Sequence, residues 1–252
     1  MQDILSHLRA APGSAALYYR PLDGQSPAVT WQDDVPFVAA SVIKLPIMIE
    51  AFRQFEAGLL DPNETYALRP ELKLPPCGVL TFLHDGLQVT LMDLVTLMII
   101  VSDNTATNMV IDRVGMENVN RTLRELGATG TALRRRLFDR EASARGVQNS
   151  VTARDIGRLL EGLYAGRVVS PAASRQMLDI LLAQQLNGKL PFYLSCDVAH
   201  KTGEDDGITH DAGIIYAPRP FVLCLFSENT DVPAFERLMQ DAAKRLYEMN
   251  AG

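Results

Sequence analysis

The strand-like segments of this chain lie near its two ends, and the long stretch between them has helical character. These segments are residues 14–20, 28–32, 196–202, 209–216 and 221–226. Turn signals such as Asp23-Gly24 and Asp205-Asp206-Gly207 separate them. A single sheet must therefore combine strands from both ends of the chain, and we predict five strands in one antiparallel sheet.

Between the two strand regions, the capping residues and glycines are typical of the starts and ends of helices. Thr90 can cap a helix that begins at Leu91, and Gly115 and Gly127 stand where helices should end. Thr152, followed by an aspartate three residues later, resembles a capping box. A last helix over about residues 233–249 would pack back on the sheet.

This pattern predicts a two-lobed α/β (α+β) fold. The expected five-stranded antiparallel sheet is flanked by N- and C-terminal helices, and an all-helical lobe is inserted into the chain. Residues 1–58 and 196–252 would form the discontinuous α/β lobe, and residues 59–195 the helical lobe. Clefts between lobes are common ligand sites, so we expect the active site there.

Composition and charge exclude several functions. The net charge of -6 argues against a surface that tracks phosphates, and the one basic run, Arg134-Arg135-Arg136, is too short to outweigh it. The most apolar stretch, residues 91–101, is about half the length needed to cross a bilayer. We therefore expect no nucleic-acid partner and no membrane span. We also expect the protein to be a monomer.

The three cysteines lack metal-ligand spacing, so we expect no metal. Because they are odd in number, at most one internal disulfide could form, and we expect three free thiols. No signal peptide is visible at the start of the chain. The compartment stays open: periplasmic or secreted if an export signal was removed, and otherwise cytoplasmic.

Ser41-Val42-Ile43-Lys44 places a hydroxyl and an amine three residues apart, at the head of an apolar helix predicted over residues 42–55. A serine hydroxyl is a weak nucleophile until a base removes its proton, and a lysine can serve when its environment favours the neutral amine. Pro46 removes a backbone donor inside the predicted second turn, for which the sequence offers no reason beyond shaping the site. Ser41 is thus the candidate nucleophile, with Lys44 as its proton acceptor.

Two remote triplets complete the pattern. Ser102-Asp103-Asn104 lies between two predicted helices; its residue types are those of helix caps, but a serine and an amide there can also enter a cleft. Lys201-Thr202-Gly203 ends a predicted strand, where lysine and threonine can hold a carboxylate and glycine permits close approach of a substrate.

Together these three motifs are the known signature of class A β-lactamases and penicillin-binding proteins, and each occurs once here, in that order. The chain therefore resembles the class A-like, penicillin-recognising serine hydrolases. The resemblance implies that Ser41 attacks the carbonyl, that Lys44 accepts its proton, and that Ser102 relays a proton to the leaving nitrogen with help from Lys201. It further implies that Asn104 binds the substrate amide, that Lys201 and Thr202 bind its carboxylate beside Gly203, and that the backbone N–H groups of Ser41 and Glu204 bind the oxyanion. No cofactor is implied.

The chain also departs from the class A pattern. It lacks the E-x-x-L-N motif that supplies the base for releasing the acyl group, and Glu141 is the best substitute. If Glu141 faces the cleft it can activate the hydrolytic water; if it faces outward the acyl-enzyme should persist. Glu204 stands where a small residue is usual, and its carboxylate would repel that of the substrate unless it turns away or pairs. His210 is the only cationic candidate on its strand to assist Lys201.

The leading hypothesis is a serine hydrolase that opens β-lactams through an acyl-enzyme. The alternative is a D,D-peptidase or esterase-like enzyme, or a penicillin-binding protein that β-lactams acylate with slow release, the natural substrate being a peptidoglycan-like peptide. A noncatalytic sensing module that is acylated once is the third. The sequence does not separate these.

Overall fold

The structure is a computed structural model that describes residues 1–75 and 77–251. Its helices within these residues are α1 (Gln2–Ala10), α2 (Lys44–Glu56), α3 (Leu91–Ile100), α4 (Asn104–Val114), α5 (Met116–Glu125), α6 (Arg140–Ala144), α7 (Ala153–Tyr164), α8 (Pro171–Leu182) and α9 (Val232–Ala251). Its strands are β1 (Ser14–Pro21), β2 (Val29–Trp31), β3 (Phe37–Val38), β4 (Thr65–Ala67), β5 (Gln88–Thr90), β6 (Ser150–Val151), β7 (Val198–Asp205), β8 (Ile208–Ile215) and β9 (Phe221–Glu228). A 3-10 turn, Ala40–Ile43, leads into α2.

The main sheet has five strands in the order β2-β1-β9-β8-β7, and every neighbouring pair is antiparallel. The predicted fold class is confirmed. The predicted strand over residues 196–202 differs, because the observed strand β7 begins at Val198 and continues to Asp205. Lys201-Thr202-Gly203 therefore lies inside this edge strand, and its backbone runs past the site.

The sheet is buried on both faces, which the alternating side chains of β1 show. Ala16 and Tyr18 belong to a core shared with the central helices, whereas Leu17 and Tyr19 belong to a second core under α1 and α9. Successive residues of a strand point to opposite faces, so one strand contributes to both cores. The chain ends thus cover one face of the sheet and the central helices cover the other.

Local capping agrees with several sequence predictions. Thr90 and Asp93 form a reciprocal capping box at the start of α3. Thr152 caps α7 through the backbone N–H of Asp155, but the Asp155 carboxylate accepts a hydrogen bond from Gly130 instead of closing the predicted box. Among the described helices, none combines the length and apolar character that crossing a bilayer requires.

Helix α7 lies within the predicted helical lobe, yet it packs on the main sheet. A Cβ atom built on Gly157 of this helix would come within 2.3 Å of the Tyr18 ring, so glycine permits the close packing. The division into residues 1–58 with 196–252 and residues 59–195 stays a prediction. The middle stretch is not all helical, however, because β4 and β5 pair there as an antiparallel two-stranded sheet.

Candidate active site

Ser41 lies in the 3-10 turn before α2, and Lys44 is the first residue of the α-helix. This corrects the predicted helix start and explains Pro46. As the third residue of α2, Pro46 falls in the first turn, where backbone N–H groups lack intrahelical partners, so its missing donor costs little. Ala40, just before the serine, has a positive φ of 42°, a strained conformation of the kind that clusters at functional sites.

Lys44 is fully buried and directs its amine toward the turn between α3 and α4. Its Nζ lies 2.8 Å from the Ser102 carbonyl oxygen, 2.9 Å from Ser102 Oγ and 2.9 Å from Asn104 Oδ1. Burial, and next the charge of Lys201, lower the pKa of Lys44 well below its ordinary value. A lysine in this environment can be a neutral amine, as a proton acceptor must be.

The turn Ser102-Asp103-Asn104 is both a helix cap and a wall of the site. Asp103 caps α4 by accepting from the Ala106 N–H at 2.9 Å, so the capping interpretation is correct for this residue. Ser102 has a positive φ of 55° and is buried. Its hydroxyl and the Asn104 amide are the groups that meet Lys44.

Lys201 approaches the same hydroxyl from β7. Its Nζ lies 3.2 Å from Ser102 Oγ and 2.8 Å from the Thr202 carbonyl oxygen. Burial lowers the pKa of Lys201 to about 7, although the charge of Asp211 opposes the shift. Thr202, also buried, is the register partner of Asp211 on β8. Two lysines from remote parts of the chain thus share one hydroxyl.

Gly203 lies where β7 passes Ser41, the predicted nucleophile. A Cβ atom built there would come 3.1 Å from Val42 Cγ2 and 3.3 Å from the Ser41 backbone nitrogen. These are tighter than ordinary contacts, so glycine permits the close approach of β7 to the 3-10 turn without any shift of its neighbours. It brings the backbone of residues 203 and 204 beside the backbone N–H of Ser41.

The Glu204 carboxylate forms an ion pair with a lysine. Its side chain is 64% exposed, and Oε1 pairs with Lys189 Nζ at 3.0 Å. The ion pair draws the carboxylate toward a cation and lessens the repulsion expected from the sequence.

A cavity of about 460 Å³ opens beside Ser41. Its walls include Ser41, Cys77, Asn104, Leu137, Phe138, Asp139, Gln148, Glu204 and Asp205. A groove of similar volume, about 450 Å³, lies between α1 and α9 and contains none of the predicted site residues. The first cavity brings Ser41 together with Asn104 and with Glu204, the residue that follows Lys201-Thr202-Gly203.

The placement of Glu141 does not support the predicted role in releasing the acyl group. Glu141 lies on α6 with its side chain 92% exposed, and its nearest cation is Arg145, at 4.0 Å. It is not among the residues that line the cavity. Helix α6 is only five residues long, and its cavity-facing end is formed by Asp139, which caps it through the Ala142 N–H.

His210 was a candidate cation for the substrate carboxylate, and the structure corrects this interpretation. The ring is fully buried; Nε2 donates to the Val38 carbonyl at 2.9 Å, and Nδ1 accepts from the Ser227 N–H at 3.2 Å. Burial lowers the pKa of His210 to about 4. The ring is therefore neutral at pH 7 and has a structural role.

Three features near the site were missed from the sequence. Asn108, one turn after Asn104, holds both backbone groups of Leu137 at 2.9 Å and so fixes the loop that lines the cavity. His200 of β7 and Asp211 of β8 form a buried pair, with 2.9 Å between Nδ1 and Oδ1. Lys189 carries no motif, and no signal in the sequence distinguishes it from a solvated lysine.

Comparisons with known proteins agree with this geometry. A family model described as the Beta-lactamase enzyme family matches residues 1–249. Beta-lactamase 3 of Bacillus cereus is 27% identical over 233 residues, covering 87% of this chain and 72% of that protein. The Beta-lactamase regulatory protein BlaB of Streptomyces cacaoi is 24% identical over 267 residues, covering 84% of this chain and 85% of that protein.

Solved structures show the same similarity. A beta-lactamase from Sphaerobacter thermophilus DSM 20745 superposes with a TM-score of 0.90 at 30% identity, covering 99% of this chain and 96% of that one. PBP-A superposes with a TM-score of 0.88 at 29% identity, covering 98% of this chain and 94% of that one, and a mutant of PBP-A was solved as an acyl-enzyme complex with penicillin-G.

Proposed function

The chain belongs to the Beta-lactamase enzyme family, and from that premise we propose that Ser41 opens the ring of a β-lactam by forming an acyl-enzyme that is released slowly. The observation that carries the proposal is the convergence of Lys44 and Lys201 on Ser102 Oγ, at 2.9 and 3.2 Å. Ser102 belongs to the same turn as Asn104, which lines the cavity together with Ser41.

Acylation needs a base, an acid and an oxyanion site. The neutral Lys44 amine takes the Ser41 proton, directly or through water, while the serine oxygen bonds to the lactam carbonyl carbon. The carbonyl oxygen becomes an oxyanion held by the backbone N–H groups of Ser41 and Glu204. When the carbon–nitrogen bond breaks, the nitrogen takes the Ser102 proton, and Lys44, now an ammonium, restores it.

Substrate binding follows from the remaining groups. Lys201 and Thr202 would hold the lactam carboxylate, with the lysine charged, and the Asn104 amide would bind the substrate amide. The side-chain amide oxygen of Asn104, Oδ1, accepts a hydrogen bond from Lys44 at 2.9 Å, so the same side chain would orient both the base and the substrate.

Slow release is proposed because the carboxylates described in the cavity wall have other partners. Asp139 caps α6 at 2.9 Å, Glu204 pairs with Lys189 at 3.0 Å, and Asp205 accepts from the neighbouring Asp206 N–H at 2.9 Å. Glu141 faces solvent. A carboxylate that is held by other partners is a poorer general base for a hydrolytic water, and a well-placed base contributes typically about 10²–10⁴-fold.

The partners of these carboxylates and the exposure of Glu141 also favour a second candidate, a penicillin-binding enzyme whose own substrate is a peptide. In that case β-lactams would act mainly as slow inhibitors, and the class A-like assignment would describe the fold and the acylation step alone. A peptide that ends in two D-alanine residues tests this candidate directly.

The deciding experiment mixes the protein with a chromogenic cephalosporin and follows absorbance and intact mass together. We expect a burst near one equivalent, a stable mass increase, and slow turnover afterwards. Ser41→Ala should lose the mass increase, whereas Cys77→Ala, which removes the thiol in the same cavity, should retain it. Unmodified wild-type protein, or label that follows the thiol, would refute the proposal.

A further inference from the structure

Lys189 is a buried cation next to the edge strand of the site. It lies in the segment between α8 and β7, and its side chain is only 4% exposed. Its Nζ lies 3.2 Å from the Gly203 carbonyl oxygen and 3.3 Å from the His210 carbonyl oxygen. Two carboxylates complete its surroundings, Glu204 at 3.0 Å and Glu236 of α9 at 3.7 Å.

The Gly203 carbonyl belongs to the peptide unit whose N–H is that of Glu204. In a planar trans peptide the carbonyl and the N–H point in opposite directions. Gly203 pairs with His210 of β8, and β7 is an edge strand with no described strand on its other side. Because the carbonyl points inward to Lys189 and β8, the Glu204 N–H points outward from the edge.

The peptide of Gly203 and Glu204 also lies beside Ser41. A Cβ atom built on Gly203 would lie 3.3 Å from the Ser41 backbone nitrogen, so the two backbone donors of the oxyanion site are neighbours. One end of this peptide thus contacts a buried cation, and the other faces the reacting carbonyl.

We propose that Lys189 is a positioning residue that strengthens the Glu204 N–H as an oxyanion donor by holding its charge on the carbonyl of the same peptide. A charge-assisted hydrogen bond to a carbonyl polarises the peptide and makes its N–H a better donor. The contact also fixes the peptide plane before substrate arrives, and preorganised donors contribute most in the transition state. This inference rests on the proposed acyl transfer at Ser41.

The proposal predicts a signature in the acyl-enzyme itself. An ester carbonyl in a strong oxyanion site is polarised, so its infrared stretching band lies at lower wavenumber than in a weak site. A lysine that merely stabilised the fold would not move this band. The readout is difference infrared spectroscopy of acyl-enzyme formed from penicillin-G with an isotope-labelled lactam carbonyl.

Four variants separate the possible effects. Lys189→Met should move the band to higher wavenumber and slow acylation by about tenfold, less than the loss of a whole donor, since the N–H remains. Lys189→Gln, which keeps a neutral donor in case the methionine variant does not fold, should give the same direction with a smaller change. Lys189→Arg should restore much of both, and Glu236→Gln, which removes a partner of the cation but not the cation, should change neither.

The outcomes distinguish this inference from the proposed function. If wild-type protein forms no acyl-enzyme, the proposed function fails. If wild type is acylated and the folded Lys189→Met or Lys189→Gln protein shows the wild-type band and rate, only the role of Lys189 is overturned. A loss of thermal stability with an unmoved band would also overturn it, because it would assign Lys189 to structure alone.

Discussion

The Lys201 amine nitrogen lies 3.2 Å from the Ser102 hydroxyl oxygen, although the two residues come from β7 and from the turn between α3 and α4. Lys44 reaches the same oxygen at 2.9 Å. The two lysines have different tasks in the proposed mechanism: Lys44 must be able to lose its charge, and Lys201 must keep its own to hold a carboxylate. The first four predictions test this division and the geometry around it.

Binding of an anionic β-lactam should weaken as the pH rises through about 7. Burial lowers the pKa of Lys201 to about 7, so the side chain is charged below this pH and neutral above it. The dissociation constant of the noncovalent complex with penicillin-G, obtained from the dependence of the acylation rate on its concentration, should therefore rise with pH. The constant for the uncharged methyl ester of penicillin-G should change little. A constant value for penicillin-G from about pH 6 to about pH 9 would contradict the role of Lys201.

Stability should show the same pKa. An unfolded chain keeps a lysine near its ordinary pKa of 10.5, so between about pH 7 and that value the unfolded state binds more protons than the folded state. The free energy of unfolding should rise with pH in this window, by at most about 1.4 kcal/mol per pH unit from this group. It should lose this contribution as the pH falls toward 7. Urea unfolding of Lys201→Met should show a flatter pH dependence; an unchanged slope would assign the wild-type slope to other groups.

Replacing Lys44 by arginine should be as damaging as removing the amine. Arginine keeps a cation but does not give up its proton near neutral pH, so it cannot accept one from Ser41. Acylation by penicillin-G should fall by about 10²–10⁴-fold in both Lys44→Arg and Lys44→Met, measured by quenched mass spectrometry. Near wild-type acylation in a folded Lys44→Arg protein would mean that another group removes the proton.

Adding a methyl group at Gly203 should disturb the oxyanion site. The new Cβ would lie 3.1 Å from Val42 Cγ2 and 3.3 Å from the Ser41 nitrogen, so β7 or the 3-10 turn must shift by a few tenths of an ångström. Gly203→Ala should slow acylation by at least about tenfold and lower the free energy of unfolding by about 1–3 kcal/mol. Gly188→Ala is the matched control, because no heavy atom lies within 4 Å of its new Cβ; equal behaviour of the two variants would refute the packing argument.

Glu141→Gln should leave both acylation and release at wild-type rates. The side chain is 92% exposed and lies outside the cavity wall, so its carboxylate does not contact a water molecule beside the ester. Release of the acyl group can be followed by the return of the unmodified mass after excess penicillin-G is removed. A clear slowing of release in the folded variant would show that α6 turns Glu141 inward once the enzyme is acylated.

Much of the fold followed from local patterns. The hairpin near the start, the three strands near the end and the capped helices between them depend on residues close together in the chain, and those predictions are confirmed within a few residues. The errors lie at boundaries, where tertiary contacts decide, and in the short strands β4, β5 and β6, which lie in the stretch predicted to be all helical. Strand β7 continues to Asp205 because it pairs with β8 through that residue, and α2 begins at Lys44 because a 3-10 turn precedes it.

The sequence by itself determined which groups were available for chemistry: a serine and a lysine three residues apart, and two triplets that resemble a known family. Only the tertiary structure decided that Lys44 and Lys201 meet at one hydroxyl, that Glu141 faces solvent, and that Lys189 contacts the Gly203 carbonyl beside the candidate site. The reason is physical. Spacing along one helical turn fixes neighbours locally, whereas the direction and the partner of a side chain depend on packing among residues that are distant in the chain.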